Sequence, residues 1–527
     1  MILNLTLALP GPAAEPERAL ALRLSIGDWC LSQGVQTLGQ RVPLAAGRDG
    51  LLRVFVVASG TNRATPSLRA TLRTPGRPEW TRVLGAPLEA TPVFIEEGNL
   101  GATWNARVPG EELAPGSVLE LELDPGRAYP GAHPQRVLAR ALDVRPAPPF
   151  RALLVPVTVG AGAPGGESRP AAAWLDQARV LFPLPTGPGG EDLQVEPPFA
   201  APAGLGQGAA GWGRLLLDLA LKRLLDGEGR LVYGLVPAPE AGAQGGAALL
   251  GAGVAAGWDR EGDRAGDGFA EVCAHGLGHA LGLPHRPCAS ALADPGRGET
   301  GAYGFDLGSG TLVPPTLPDI MTSCRPAWAG PATVQGILEA RRRAPGAPAR
   351  ARCLLVSGRV TGEGVDLDPA FTLDAFPGGT GGETWRLEAL DAQGGLLAAA
   401  GFTPAPLADL DPAGAVFALA LPLAGVREEA LAALRILKDG REVARRTRTG
   451  NPGPAQPWIL GSDGGRMGLR WEPRDAPAAL VRHGATGRML GRGEGGSLDF
   501  RMEGWEARVD LSDGVTSRTF RVNGMLP

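Results

Sequence analysis

Lysine is nearly missing from this 527-residue chain: Lys222 and Lys438 are the only two, so almost all of the 51 basic residues are arginine. With 79 glycines and 50 prolines the bias matches GC-rich coding, and no function follows from it. The net charge of −4 leaves no basic excess, which excludes a charge-driven nucleic-acid binder. Glycine and proline together reach about a quarter of the chain, the lower edge of low-complexity composition. Yet 44% of residues are hydrophobic and only 20% are charged, the opposite of what keeps a chain disordered. A folded, turn-rich protein follows, of three or four domains at roughly 150 residues each.

No apolar run reaches the roughly 18 to 20 residues that span a bilayer, so no transmembrane anchor is expected. Residues 245–257 are apolar but short, and mostly alanine and glycine. The first ten residues have no basic flank before Arg18, and Leu3, Leu5, Leu7 and Leu9 alternate with Asn4, Thr6 and Ala8. That pattern reads as a first strand, with a secretory signal or its remnant as the alternative. Of five cysteines (Cys30, Cys273, Cys288, Cys324 and Cys353) at least one is left unpaired, and none forms a C-x-x-C pair.

The chain divides by pattern. Residues 1–147 read as a β-sandwich: 51–57 is an apolar β-branched run after a Gly-Arg-Asp-Gly turn, and 117–123 alternates as a half-buried strand. Residues 148–348 mix strands at 153–159 and 231–236 with helices at 212–225, 269–281 and 334–343. In residues 349–450 strands return at 353–360, 384–390, 395–402, 416–421 and 432–437, with Lys438-Asp439-Gly440 as a hairpin turn. A linker at 451–457 leads to a small β unit over 451–527. The expected class is multidomain α+β, with a mixed central domain between β-sandwiches of Ig-like or fibronectin-like type.

Histidine occurs five times, and three fall within eleven residues: His275, His279 and His285. On a helix, residues i and i+4 share a face, so His275 and His279 point two imidazoles at one place. Gly282 permits the left-handed conformation that ends a helix, and His285 then returns with a third nitrogen. Three histidines plus water make the open tetrahedral set of a catalytic zinc site. His133 and His483 lie in turn-rich text and read as solvated, as do the scattered acidic pairs.

The run Glu271-Val272-Cys273-Ala274-His275-Gly276-Leu277-Gly278-His279-Ala280-Leu281-Gly282-Leu283-Pro284-His285 resembles the zinc-binding motif of the metzincin metallopeptidases, H-E-x-x-H-x-x-G-x-x-H followed by a Met-turn. Met321, within Asp319-Ile320-Met321-Thr322-Ser323-Cys324, stands for that turn. His285-Arg286-Pro287-Cys288 and the Met-turn cysteine are similar to bacterial secreted members with H-x-P-C and D-x-M-x-Y-C. Tyr233-Gly234, residues 301–306, Arg325-Pro326-Ala327-Trp328 and the 51–56 strand extend the likeness, which covers the central domain well and the flanks loosely. The resemblance implies a twisted sheet with the zinc helix below it, zinc on His275, His279 and His285, and Met321 as an apolar floor. It also implies a Cys288–Cys324 disulfide, with two buried thiols as the alternative. A disulfide would argue for an extracellular or cell-envelope location.

Two departures fall on chemistry. Gly276 stands where the motif has its general-base Glu, a group typically worth about 10²- to 10⁴-fold in rate. Ser323 stands where the related group has a Tyr able to donate to an oxyanion. Glu271, one turn before His275, projects from the wrong end to replace the base. Cys273 reads as a small core residue or a weak soft ligand, and Cys30 and Cys353 as packed or free. The expected function is a metzincin-like homologue that binds zinc, is catalytically impaired, and engages a protein or glycoprotein. The alternatives are an active secreted zinc endopeptidase with an unusual base, and an adhesive β-sandwich protein with a scaffold domain at its centre.

Overall fold

The computed structural model describes residues 22–130, 136–160, 162–202, 204–205, 208–238, 245–261, 268–288, 299–342, 349–411, 414–448, 456–460, 466–502, 504 and 506–523. The expected first strand at residues 3–9, His133 and most of the 451–457 linker lie outside them. Among the described residues the molecule is β-rich, with 42% strand, in several separate sheets, and 14% helix. The expected α+β balance is therefore shifted toward β.

The first unit is two sheets around one core. Strands β1 (Leu24–Ser32), β2 (Gly50–Ala58), β3 (Leu68–Arg73), β4 (Trp80–Leu84), β5 (Trp104–Val108), β6 (Val118–Leu123) and β7 (Val137–Ala141) pair in the orders β1-β2-β5 and β4-β3-β6-β7. In β6 the leucines are buried and the residues between them half-buried, as its alternation requires. Arg48 docks this unit on the next: its buried guanidinium donates to the carbonyls of Gln33, Arg179, Val180 and Leu184.

The central unit is built on β8 (Phe150–Thr158), helix α1 (Asp176–Leu181), β9 (Glu191–Val195), α2 (Ala209–Asp226), β10 (Leu231–Pro237), β11 (Gly246–Leu249), β12 (Val254–Asp259), α3 (Phe269–Ala280) and α4 (Pro331–Arg342). The sheet runs β9-β8-β10-β12-β11; β8, β9, β10 and β12 are parallel, and β11 is antiparallel. Along β8, β10 and β12 both faces are covered and the residues are mostly buried and apolar, whereas the edge strand β9 (Glu-Asp-Leu-Gln-Val) is only partly buried. Leu215, Leu219 and Val232 belong to the core under α2, while Tyr233, Ala255, Ala274 and Leu277 belong to the core under α3. The apolar 245–257 run is thus β11, a turn and β12, whose small residues let α3 approach closely. No helix among the described residues is long and apolar enough to cross a membrane.

The third unit comprises β13 (Ala351–Thr361), β14 (Phe371–Ala375), β15 (Trp385–Leu390), β16 (Leu396–Phe402), β17 (Ala405–Ala408), β18 (Ala415–Pro422), β19 (Ala433–Lys438) and β20 (Arg441–Thr447). Lys438 and Arg441 pair across the two-residue turn, where Asp439 and Gly440 both have positive φ. Strand β17 joins β11 on one side and β18 on the other, so the central sheet continues into this unit as β11-β17-β18-β13. The last unit carries β21 (Trp458–Leu460), β22 (Arg466–Arg470), β23 (Ala478–His483), β24 (Met489–Glu494), β25 (Ser497–Arg501), β26 (Glu506–Ser512) and β27 (Ser517–Asn523) around its own small core.

Candidate metal centre

Helix α3 carries His275 and His279, both buried. Its end is a Schellman motif: Leu283 N–H donates to Gly278 O at 3.0 Å and Gly282 N–H to His279 O at 2.8 Å, with Gly282 at φ +97°. That turn sets the Leu283 carbonyl 2.7 Å from His279 Nδ1. The Met-turn does the same for His275, whose Nδ1 donates to Ile320 O at 2.7 Å. Asp319, fully buried, holds the Met-turn: its carboxylate accepts from Met321 N–H, Gly330 N–H and the Thr333 hydroxyl, each at 2.9 Å. Met321 is fully buried and packs where a Cβ on Gly278 would collide with its sulfur.

With Nδ1 committed as donor, Nε2 of each ring is a lone pair. These lone pairs face one another: His279 Nε2 is 3.0 Å from His275 Nε2, which is 3.2 Å from His285 Nε2. A fourth group completes the set. Asp409 Oδ1 lies 2.7 Å from His285 Nε2 and 3.3 Å from His275 Nε2, and Oδ2 lies 3.4 Å from His279 Nε2. The four ligand atoms all lie within 4.8 Å of one another. Tetrahedral zinc with donors at roughly 2.0–2.1 Å places those donors about 3.3 Å apart. Converging lone pairs and a carboxylate, with no proton to share between His275 and His279, are what a cation relieves. The residues present therefore fit a divalent metal ion.

The four groups also shift one another's titration. Burial depresses His275 below the ordinary imidazole value, offset in part by Asp409. At half-exposed His285 the Asp409 hydrogen bond outweighs burial and raises it. Burial works against the Asp409 carboxylate, but the three imidazoles together hold it well below the usual carboxylate range.

The sequence-expected residues distribute plainly. His275, His279 and His285 come together, Gly282 has a left-handed φ at the helix end, and Met321 is buried. Cys288 and Cys324 are disulfide-bonded, with Cα atoms 5.8 Å apart. Gly276 turns toward the sheet, where a Cβ would meet Ala255 Cβ at 3.3 Å and Tyr233 Cε2 at 3.6 Å. Ser323 is exposed, with its hydroxyl 3.4 Å from Cys288 Sγ. Glu271 and Cys273 are outside the cluster; Cys30, Cys273 and Cys353 are buried free thiols. His483 accepts from Thr486 N–H at 3.0 Å and organises a turn.

The acidic residues are not all solvated faces: Asp409 sits in the histidine cluster, 134 residues from His275, and sequence reasoning missed it. No local signal marks it, because only strand pairing between two units brings it there. A scan against protein-family models finds no match, and a search of curated proteins finds none.

Proposed function

We propose that this chain is a metzincin-like zinc-binding protein that has lost most or all peptidase chemistry and acts by binding a protein or glycoprotein. The observation that supports it is the convergence of two carbonyl-anchored imidazoles, from a helix whose residue 276 is glycine, with His285 from just beyond the helix end. Zinc held there would supply Lewis acidity and lower the pKa of a bound water. His275, His279 and His285 orient as ligands, and Gly276 has no group to accept a proton. The active-endopeptidase reading needs a base beside a metal-bound water. Asp409 is the one carboxylate in the cluster, and with oxygens 2.7 to 3.4 Å from all three imidazoles it stands where that water would be. The Ig-like character of the flanking sandwiches belongs to this reading, and the Cys288–Cys324 disulfide supports an extracellular or envelope setting.

Metal analysis and a casein assay on the purified chain test it together. About one zinc per chain and hydrolysis no faster than buffer are expected. Absence of zinc overturns the reading in favour of the scaffold alternative. Cleavage that disappears with chelator and in His279→Ala overturns it in favour of a working peptidase.

A further inference from the structure

The fourth member of the metal centre comes from neither the helix nor the Met-turn, but from the next unit. Strand β17 adds antiparallel to the edge of the central sheet, pairing Ala408 with Ala248 and Leu407 with Leu249, and Leu250 N–H donates to Pro406 O at 2.9 Å. An open sheet edge is where extended peptides dock by strand addition. Here the chain's own residues fill that place. Directly after β17, Asp409 adopts φ +65°, a left-handed conformation that Asp tolerates better than most residues. Its carboxylate meets all three imidazoles.

Strand β17 is firmly seated. It turns back into β18 through Ala405–Val416 and Pro406–Ala415 pairing. Leu407 packs against the core under α2 and Ala408 against the core under α3. Structural zinc sites have four protein ligands, whereas catalytic sites keep one position for water. We infer that His275, His279, His285 and Asp409 form a structural metal site that clasps the β17–β18 hairpin onto the central sheet, with no exchangeable position on the metal. This rests on the zinc-binding reading above and adds a role for the ion: it joins two units of the chain and holds the chain's own strand on the sheet edge.

The test uses the full chain substituted with cobalt(II) and titrated with acetohydroxamate, which binds an open metal position. The wild-type visible spectrum is expected to stay unchanged, and that of Asp409→Ala to shift. Asp409→Asn, nearly isosteric, should keep the wild-type circular dichroism yet lose zinc to a competing chelator at least about tenfold more readily, the scale seen even for groups outside the ligand set. Amide exchange at residues 405–408 in wild type should quicken when zinc is removed. A wild-type spectrum that responds to acetohydroxamate, or exchange at 405–408 indifferent to zinc, overturns the clasp while leaving zinc binding intact. A wild-type chain that takes up no metal overturns the zinc-binding reading itself.

Discussion

Gly276 and Gly278 lie two residues apart on α3 and answer to different neighbours. Gly278 is small because Met321 sulfur occupies the space a Cβ would need. Gly276 faces Ala255, which must give by a few tenths of an ångström to admit a Cβ, and Tyr233, which a Cβ would meet at ordinary contact distance. A mid-helix glycine costs about 1 kcal/mol relative to alanine, so α3 carries two such penalties and depends on tertiary packing. Placing a carboxylate at position 276 therefore strains the helix–sheet packing. Gly276→Glu alone is expected to leave casein hydrolysis at background, because Asp409 still stands among the imidazoles and β17 still lies along the sheet edge. Chelator-sensitive cleavage by that single variant, measured beside wild type, would mean a water reaches the metal despite Asp409.

At the scale of elements, the site is a helix end and a turn that position each other through backbone carbonyls. Gly282 lets the chain after α3 present Leu283 O to His279, and the Met-turn presents Ile320 O to His275. Asp319 is the keystone of the second arrangement. Asp319→Ala would strand the buried Met321 and Gly330 N–H groups and the Thr333 hydroxyl, each unsatisfied group costing about 1–3 kcal/mol. Urea unfolding is expected to show a loss of about 3 kcal/mol or more. Zinc affinity of the remaining folded protein should fall about 10- to 100-fold, as for other groups that orient metal-bound histidines. Unchanged affinity would mean that Ile320 O does not set the His275 ring.

On the scale of the whole molecule, buried charge as well as apolar area joins the units. Arg492 of β24 pairs with Asp218 of α2 at 3.0 Å and with Asp368 of the third unit at 3.1 Å, and all three side chains are buried. Asp218 and Asp368 behave oppositely: burial leaves Asp218 raised, whereas the paired arginines overcome burial and hold Asp368 down. One apolar core runs from Leu215 and Leu219 of α2 to Leu355 and Val416 of the third unit and Leu480 and Met489 of the fourth. Arg492→Met would leave two buried carboxylates short of a partner, and breaking a buried pair from one side typically costs about 3–5 kcal/mol. A lower melting temperature is expected, with the third and fourth units losing protection together in amide exchange. Loss confined to β24 and its neighbours would show that the units unfold independently.

The sequence by itself determined the parts of this protein whose logic is local. Strand alternation, the Lys438-Asp439-Gly440 turn, and helix 269–281 with its i, i+4 histidines and Gly282 stop each depend on residues within a turn or two of one another. The third histidine was legible from its place just after the Gly282 stop, and the disulfide through the resemblance. Only the tertiary structure decided which group joins the three histidines as the fourth member of the cluster. Asp409 is an ordinary acidic residue in an ordinary loop until β17 pairs with β11, and sheet pairing between distant segments leaves no periodic trace in either. The same holds for Gly276: its chemistry as an absence could be read directly, but the ring and strand that fill its side could not, because close packing is a property of the assembled core.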